Sequence, residues 1–362
     1  MPPNLPKIHR GKRHKPSETD FCQQKLNAWR PLITPRCVYP FFFIIGAACI
    51  ALGACLHMGA LHAMKVVIPY TNCTSLHNSS TVQEVLATST GEDAGPVCHY
   101  DIVLHEPFNG DVTFYYGLTN YYQNNRMYIM SRDDVQLFGE NLQSVQNCDE
   151  NTRTTKSVDN STTLYYAPCG AVANSMFTDK FFMSYEKNGT SIPVPFSTKN
   201  VLQPYERTSK YRNPHTDSET NLCQAFAKQN TTRPPSWKIN TCQLGSNETG
   251  YGFENVDFIV WMNVAPLPDF QKKYRTLKTN GTGVDEVFKN GLPNGTYTLK
   301  IHYNYNVSSF NGEKSFIIAT TSFSGPKNFF LGIAYMTVGL FLFLLGLGLI
   351  VYDCINKKMK NA

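Results

Sequence analysis

The chain has 362 residues, of which 42% are hydrophobic and 17% are charged, and its formal net charge is +6. The positive excess belongs to the two ends, because residues 1–36 and 353–362 together carry +8 whereas the long stretch between them carries −2. This distribution argues against nucleic-acid binding by the middle of the chain. It favours contact of the ends with an anionic membrane surface or an acidic partner.

The first predicted element is a transmembrane helix at residues 38–61, which follows a polar tail at residues 1–37. The run from Cys37 to Met64 contains no Asp, Glu, Lys or Arg and is long enough to cross a bilayer as a helix. Because this run is longer than the apolar part of a signal peptide and follows such a tail, we expect an uncleaved signal anchor.

Residues 62–328 form a middle region that is long enough to bury its own core. Its first predicted strand is "DVTFYYGL" (Asp111–Leu118), which follows a turn at Asn109–Gly110 and alternates in the manner of a half-buried strand. A helix is predicted next, at "LTNYYQNNRMYIM" (Leu118–Met130).

Further elements are predicted towards the end of the middle region. The apolar run "DFIVWM" (Asp257–Met262) is typical of a buried strand, and "LPDFQKKYRTLK" (Leu267–Lys278) is predicted as a helix with proline near its start. Apolar and polar residues alternate in "TYTLKIHYNYNV" (Thr296–Val307), which predicts a strand with one buried face. Asn311–Gly312 then predicts a hairpin turn into a last strand within Glu313–Phe323.

A second transmembrane helix is predicted at residues 329–352, and a basic tail follows at residues 353–362. Loops rich in Lys and Arg tend to stay in the cytoplasm, so both tails are predicted to be cytoplasmic and residues 62–328 to be exoplasmic. The predicted architecture is a membrane protein in which two transmembrane helices flank a large β-rich α+β ectodomain with an antiparallel β-sandwich core.

Nine Asn-x-Ser/Thr sequons agree with the exoplasmic placement, because all of them lie between the two predicted spans. A glycosylated ectodomain would show this confinement, although some sequons are expected to remain unused. The predicted glycosylation sites are Asn72, Asn78, Asn160, Asn188, Asn230, Asn247, Asn280, Asn294 and Asn306.

Six of the eleven cysteines lie in the middle region, and an even number in an oxidising compartment predicts disulfide bonds. Six cysteines allow fifteen connectivities. Catalysis by Cys169 is not expected, because no histidine lies between His105 and His215 to act as its base. Pairing of sequence neighbours is the simplest connectivity, namely Cys73 with Cys98, Cys148 with Cys169, and Cys223 with Cys242.

The sequence contains no HExxH, CxxC or P-loop motif. The adjacent carboxylates Asp133 and Asp134 are expected to act in a turn or as a helix cap, since neighbouring side chains usually point apart. The chain is therefore predicted not to be an enzyme and to bind neither a metal nor a cofactor. Any nucleotide hydrolysis must belong to a partner.

Several stretches follow one another in a recognisable order between about residues 18 and 352: "FCQQKLNAWRPLITP", "YYGLTNYYQNNRMYIMSRDDVQL", "APCGAVANSMF", "KYRNP", "DFIVWM", "LPDFQKKYR", "LPNGTYTL" and "FLGIAYMTVG". Together they resemble the cell division control protein 50 family, which comprises the accessory (β) subunits of type IV P-type ATPase phospholipid flippases. A collinear set of this kind is more specific than any single motif.

The resemblance implies a non-catalytic glycoprotein that forms a heterodimer with an ATPase α-subunit and contacts membrane lipids. It implies support for the folding, endoplasmic reticulum exit and activity of that ATPase, and so for phospholipid translocation from the exoplasmic to the cytoplasmic leaflet. The implied locations are the endoplasmic reticulum, the Golgi and endosomes, and the plasma membrane. The resemblance also pairs Cys148 with Cys169 and Cys73 with Cys98.

In the N-terminal tail, five residues are predicted to dock on cytoplasmic loops of the ATPase: Phe21, Gln23, Gln24, Trp29 and Pro31. The alternative is a solvated tail that Trp29 anchors at the membrane interface.

Small residues recur every seven positions in both predicted spans, as Gly46, Gly53 and Ala60 and as Gly332, Gly339 and Gly346. This spacing returns to one helix face, where another helix can approach closely. One stripe is expected to seat the two spans together and the other to face the ATPase. The alternative is that glycine is simply frequent in membrane helices.

Two other function classes also fit two spans around a disulfide-bonded domain, namely a ligand-gated channel subunit and a surface receptor glycoprotein. A pore-lining helix is expected to offer polar positions to water, whereas the second span offers only Thr337 and its glycines. The accessory-subunit hypothesis is therefore preferred.

Overall fold

The computed structural model describes residues 19–26, 35–72, 95–157, 161–187, 189–216, 221–281, 283–323 and 325–361. The chain divides into two compact units, one formed by Met1–Cys55 with Phe330–Ala362 and the other by Leu56–Phe329.

Two long apolar helices, α1 (Pro35–His62) and α8 (Phe330–Asn361), have the length and composition of membrane spans. Most of their apolar side chains are exposed, as expected of helices that lipid or a partner covers. Both predicted spans are confirmed as helices. The other helices of the described residues are short: α2 (Arg126–Met130), α3 (Asp134–Leu137), α4 (Ala171–Asn174), α5 (Pro204–Ser209), α6 (Leu222–Lys228) and α7 (Val256–Met262).

The second unit is built mainly from strands. In the described residues these are β1 (Lys65–Pro69), β2 (Val97–Leu104), β3 (Phe108–Asn109), β4 (Val112–Leu118), β5 (Thr154–Lys156), β6 (Thr163–Tyr166), β7 (Lys180–Lys187), β8 (Thr190–Pro193), β9 (Phe196–Ser197), β10 (Thr231–Thr232), β11 (Gly245–Ser246), β12 (Gly250–Tyr251), β13 (Phe270–Leu277), β14 (Gly291–Leu292), β15 (Gly295–His302) and β16 (Lys314–Thr320).

Two antiparallel sheets dominate this unit, one with the order β1-β16-β4-β13-β9 and one with the order β2-β15-β7-β8. They face each other across an aromatic core. The ring of Phe181 from β7 lies 4.8 Å from that of Phe316 in β16 and 5.1 Å from that of Tyr274 in β13. Burial of each such ring contributes roughly 1.5–3 kcal/mol. The predicted antiparallel β-sandwich is therefore confirmed.

The predicted strand after Thr296 is confirmed as β15, which buries Tyr297, Leu299 and Ile301 on one face. The predicted hairpin into β16 is wrong, because β15 pairs with β2 and β7 whereas β16 pairs with β1 and β4. Beyond His302 the backbone N–H groups of Asn304 and Tyr305 donate to the carboxylate of Asp179 and not to another strand. The chain thus leaves one sheet and enters the other.

Two predicted elements have the opposite type in the structure. The apolar run Asp257–Met262, which the sequence predicts as a strand, instead forms most of α7. This helix begins where the side chain of Asn255 accepts a hydrogen bond from the backbone N–H of Phe258 (3.0 Å). Nearly every side chain of α7 is buried, so the sequence has no polar face that would reveal a helical period.

The predicted helix at Leu267–Lys278 is likewise wrong, since its residues form β13. A bulge between Lys273 and Arg275 interrupts the two-residue alternation, which explains why the strand pattern is missing from the sequence. The predicted helix at Leu118–Met130 shortens to α2, because Asn125 caps a helix that starts only at Arg126.

Candidate interaction sites

Small residues form the seam between α1 and α8. A Cβ atom built on Gly46 would lie 3.0 Å from the carbonyl oxygen of Gly339, and one on Gly53 would lie 2.8 Å from that of Gly332. One on Gly346 would lie 3.0 Å from the ring of Phe43. Both stripes therefore pack against each other in one seam, as small residues do in membrane helix pairs. This packing leaves neither stripe free, so it gives no support to the expectation that one of them faces the ATPase.

The opposite faces of both spans are apolar and uncovered, and they include Ile44, Leu52, Val338 and Leu345. Because the glycines lie in the seam between α1 and α8, it is these large side chains that the two helices expose to lipid or to helices of a partner.

Part of the predicted docking segment lies in the described residues. Residues 19–26 form a turn in which the backbone N–H of Gln23 donates to the carbonyl of Thr19 (3.0 Å). The side chain of Phe21 is 75% exposed, and Gln23 and Gln24 are exposed as well. Trp29 and Pro31 lie outside the described residues.

Cysteine pairs close two loops of the second unit. Cys148 is bonded to Cys169 and Cys223 to Cys242, as the sequence predicts. Cys98 is also disulfide-bonded, and Cys73, its predicted partner, lies outside the described residues. Cys169 is buried and bonded, so it offers no thiolate for chemistry.

Every sequon asparagine within the described residues is exposed, namely Asn72, Asn230, Asn247, Asn280, Asn294 and Asn306. At Asn306 the side-chain oxygen accepts hydrogen bonds from the backbone N–H (2.9 Å) and the hydroxyl (2.7 Å) of Ser308, which holds that sequon in a turn. The remaining predicted sites, Asn78, Asn160 and Asn188, lie outside the described residues.

The adjacent carboxylates Asp133 and Asp134 have different structural roles. Asp133 caps α3, since its Oδ1 accepts hydrogen bonds from the backbone N–H groups of Val135 (3.1 Å) and Gln136 (3.2 Å). Asp134 is exposed and lies 3.3 Å from Arg132. The predicted capping function is confirmed for Asp133.

A fully buried ion pair ties the two sheets together, and sequence reasoning does not find it. Lys314 Nζ lies 2.6 Å from Asp179 Oδ2, and neither side chain is exposed. The hydroxyl of Tyr70 also donates to this carboxylate (2.9 Å), and Lys314 Nζ lies 3.0 Å from the ring centre of Tyr303. Burial lowers the pKa of Lys314 to about 8, although Asp179 acts in the opposite direction. The cluster is closed to solvent and therefore structural.

A crevice of about 540 Å³ lies between the sheets, with Tyr116, Phe177 and Phe181 in its walls. Two of its charged wall residues, Arg275 and Asp257, form a two-pronged ion pair with distances of 2.5 and 2.9 Å. These two charges therefore satisfy each other.

A second cleft, of about 470 Å³, lies beside α7 and is lined by Arg132, Asp134, Phe138, Lys210, Tyr211, Met262, Asn263 and Val264. We call it the α7 cleft. Its lining residues come from three distant segments, so sequence spacing does not indicate that they meet. The sequence signal is that most of them belong to the stretches quoted above: Arg132 and Asp134 to "YYGLTNYYQNNRMYIMSRDDVQL", Lys210 and Tyr211 to "KYRNP", and Met262 to "DFIVWM".

Similarity to known proteins extends over both spans and the region between them. A family model described as LEM3 (ligand-effect modulator 3) family / CDC50 family matches residues 56–359. Cell cycle control protein 50A of Bos taurus is 38% identical over 99% of this chain and 94% of its own length. Cell cycle control protein 50B of Homo sapiens is 37% identical over 93% of each chain. The phospholipid-transporting ATPase accessory subunit CRF1 of Saccharomyces cerevisiae is 30% identical over 90% of this chain and 82% of its own length.

Proposed function

The chain belongs to the LEM3/CDC50 family, and on this premise we propose that it is a non-catalytic accessory subunit of a type IV P-type ATPase. As one half of a heterodimer it supports the folding, endoplasmic reticulum exit and activity of the ATPase. It thereby enables phospholipid translocation from the exoplasmic to the cytoplasmic leaflet.

The observation that carries this proposal is the match, along 90% of the chain, to a yeast protein named as an accessory subunit of a phospholipid-transporting ATPase. The structure supports a binding function: two spans packed on each other expose large apolar faces, and the disulfide-bonded sandwich pairs its buried Lys314 with Asp179. The same match favours this function over a channel subunit or a receptor.

Co-purification tests the proposal directly. The full chain is tagged and co-expressed in turn with each type IV P-type ATPase of its own organism. When it is purified in mild detergent, one of these ATPases should co-purify with it in an equimolar amount. Cells that lack the chain should lose uptake of a fluorescent phospholipid that depends on that ATPase. If every ATPase is absent from the purified chain and uptake persists without it, the proposal is wrong.

We further propose that both tails are cytoplasmic and that residues 62–328 form a glycosylated exoplasmic domain. The basic tails, the disulfides and the exposed sequon asparagines support this topology. The proposed route runs through the endoplasmic reticulum, Golgi and endosomes to the plasma membrane. Endoglycosidase digestion should lower the apparent mass of the chain, and an unchanged mass would contradict the glycosylation.

The N-terminal segment is proposed to dock on the cytoplasmic side of the ATPase through Phe21, Gln23, Gln24, Trp29 and Pro31. An aromatic ring as exposed as that of Phe21 is suited to burial in a partner. Deletion of residues 1–30 should lower lipid-stimulated ATP turnover of the purified complex while the complex remains assembled. Full turnover after the deletion would instead support a solvated tail.

A further inference from the structure

We propose that a polar pocket at the end of β13 holds the first sugars of an N-linked glycan attached to Asn280. This glycan is then packed against the five-stranded sheet as part of the folded domain and does not extend freely into solvent. The inference rests on the proposed glycosylation of residues 62–328, and it assigns to one of the glycans a binding site within the chain. We call this site the Asn280 pocket.

The Asn280 pocket has a volume of about 310 Å³ and lies where three neighbouring strands of the five-stranded sheet, β4, β13 and β9, contribute side chains. In one row across these strands, Thr113 of β4 pairs with Thr276 of β13, and Thr276 pairs with Ser197 of β9. Residues that pair directly across strands face the same side, with Cβ atoms about 4.5–5.5 Å apart. Three hydroxyl groups on short side chains therefore lie next to one another in the lining of the pocket.

The lining also contains ammonium groups. Lys199 and Lys273 are exposed, and neither has a carboxylate within 4.0 Å among the described residues. Asp111 supplies the one carboxylate of the described lining. Ammonium groups donate hydrogen bonds, and hydroxyl groups both donate and accept them, so this lining suits a ligand that is rich in hydroxyl and carbonyl oxygens. N-acetylglucosamine, the sugar that is bonded to asparagine in N-linked glycans, has this chemistry.

The loop after β13 holds Asn280 at the rim of the pocket. The backbone N–H of Lys278 donates to the carbonyl of Pro195 (2.9 Å), which fixes the start of the loop beside β9. Gly281 has a φ of +113°, which favours glycine, and a Cβ atom there would lie 3.3 Å from Lys278 Cε. Between these two residues Asn280 is exposed and itself lines the pocket. A sugar bonded to its side-chain nitrogen therefore starts at the rim, with no linker between them.

Covalent attachment favours the sugar over other oxygen-rich ligands. Phosphate would also be attracted by Lys199 and Lys273, but a free ligand loses translational and rotational freedom when it binds, and this loss opposes binding. A sugar attached at the rim has already lost most of that freedom, and a short tether gives it an effective concentration in the millimolar range. Weak hydrogen bonds to the hydroxyl and ammonium groups are then enough to hold it. We therefore assign the Asn280 pocket to the glycan.

Enzymatic release of the sugar tests the assignment directly. The folded, purified full chain is treated with a peptide N-glycosidase, and mass spectrometry of its peptides follows release at Asn280 and at Asn294, which is exposed and does not line the pocket. Release at Asn280 should be about fivefold slower or more, because about one net hydrogen bond protects the sugar, and both sites should react equally fast after denaturation. The double variant Lys199→Ala/Lys273→Ala should speed release at Asn280 and leave release at Asn294 unchanged.

Thermal unfolding measures what the bound sugar contributes to stability. Asn280→Gln and Thr282→Ala both remove the sequon, whereas Thr282→Ser keeps it. The two deletions should lower the melting temperature by about 2–4 °C, the shift expected for about one net hydrogen bond in a domain of this size, while Thr282→Ser and Asn294→Gln should match the wild type. Lys273→Ala should lower it in the glycosylated chain but not further in Asn280→Gln, because the two groups act through one contact. Lys300→Ala, at an exposed position of the four-stranded sheet, should change it in neither.

Sugar on other asparagines but not on Asn280 would overturn the inference while the proposed function stands, and a chain without any sugar would overturn the proposed glycosylation as well. Equal release at Asn280 and Asn294 in the folded chain, or equal losses from Lys273→Ala with and without the sequon, would also overturn the inference. Inorganic phosphate should stabilise the glycosylated chain no more than chloride does at the same ionic strength. A phosphate-dependent rise in melting temperature that Lys273→Ala abolishes would assign the pocket to an anion and not to the glycan.

Discussion

Lys314 shows how single residues hold the two sheets in register. It extends from β16 to Asp179, which precedes β7 in the other sheet, and Asp179 also holds the backbone where β15 ends. A charge at this depth is tolerated only because it is paired and hydrogen-bonded. Removing one partner should therefore lower the free energy of unfolding by far more than the intact pair contributes to it.

Lys314→Met keeps most of the side-chain volume and leaves Asp179 buried without its cation. We expect a loss of about 3–5 kcal/mol in the free energy of unfolding, seen as a lower melting temperature of the purified full chain. Lys300→Met, at an exposed position, should change little. The double variant with Asp179→Asn should recover part of the loss. A melting temperature unchanged by Lys314→Met would show that the pair is not needed.

At the scale of elements, the local sequence pattern predicts the type of an element where one of its faces is exposed to water. It fails where every face is buried. Both spans and the strand β15 follow from hydropathy and alternation. The buried helix α7 has no polar face, so its apolar run fits a helix and a strand equally well. Its C-terminal end depends on a residue of another element, because Lys272 Nζ donates to the carbonyls of Val260, Trp261 and Asn263 at 2.7–3.1 Å. No local pattern records such a contact.

The seam between α1 and α8 provides a matched pair of substitutions. A side chain at Gly339 would meet the backbone of Gly46 at 2.7 Å, whereas an added Cβ at Gly348 would have no atom within 4 Å. Gly339→Leu should separate the helices and destabilise the chain by about 1–3 kcal/mol, while Gly348→Leu should be tolerated. Thermal unfolding of the two purified variants in detergent would compare them. Equal melting temperatures would contradict a close seam.

For the whole molecule, the sequence predicts the order of tails, spans and middle region and the general architecture. It does not predict which strands pair with each other. Tyr211 and Lys210 are neighbours in sequence, yet Arg132 and Met262 join them only through the tertiary fold. The strand partners likewise depend on crossings between sheets that turn motifs do not encode, as the failed hairpin at Asn311–Gly312 shows. The spacing of residues in the sequence therefore does not predict the α7 cleft.

Tyrosine burial predicts how stability responds to alkali. Burial raises the pKa of Tyr70, Tyr116 and Tyr274, among others, whereas the unfolded chain ionises its tyrosines near pH 10. A raised folded-state pKa contributes stability that is complete below about pH 10 and is lost as the pH rises through the folded value. The lowered pKa values of Lys272 and Lys314 act in the opposite direction but concern fewer groups.

We therefore expect the melting temperature to fall steeply above about pH 10. In a native titration, ultraviolet absorbance should show the buried tyrosines ionising together with loss of β-structure by circular dichroism, and in denaturant all 20 should titrate near pH 10. Gradual ionisation of every tyrosine in the folded chain would contradict their burial.

The pairing of β1 with β16 has a consequence for biosynthesis. Residues 256 positions apart in the chain, Met64 and Thr320, exchange hydrogen bonds of 2.9 and 3.0 Å at the end of this pair. At about 5–20 residues per second, a ribosome needs tens of seconds to deliver the later strand after the earlier one has emerged. During that interval the nascent polypeptide carries an incomplete sheet edge, whose unpaired backbone groups are open to pairing with another chain until translation is nearly finished.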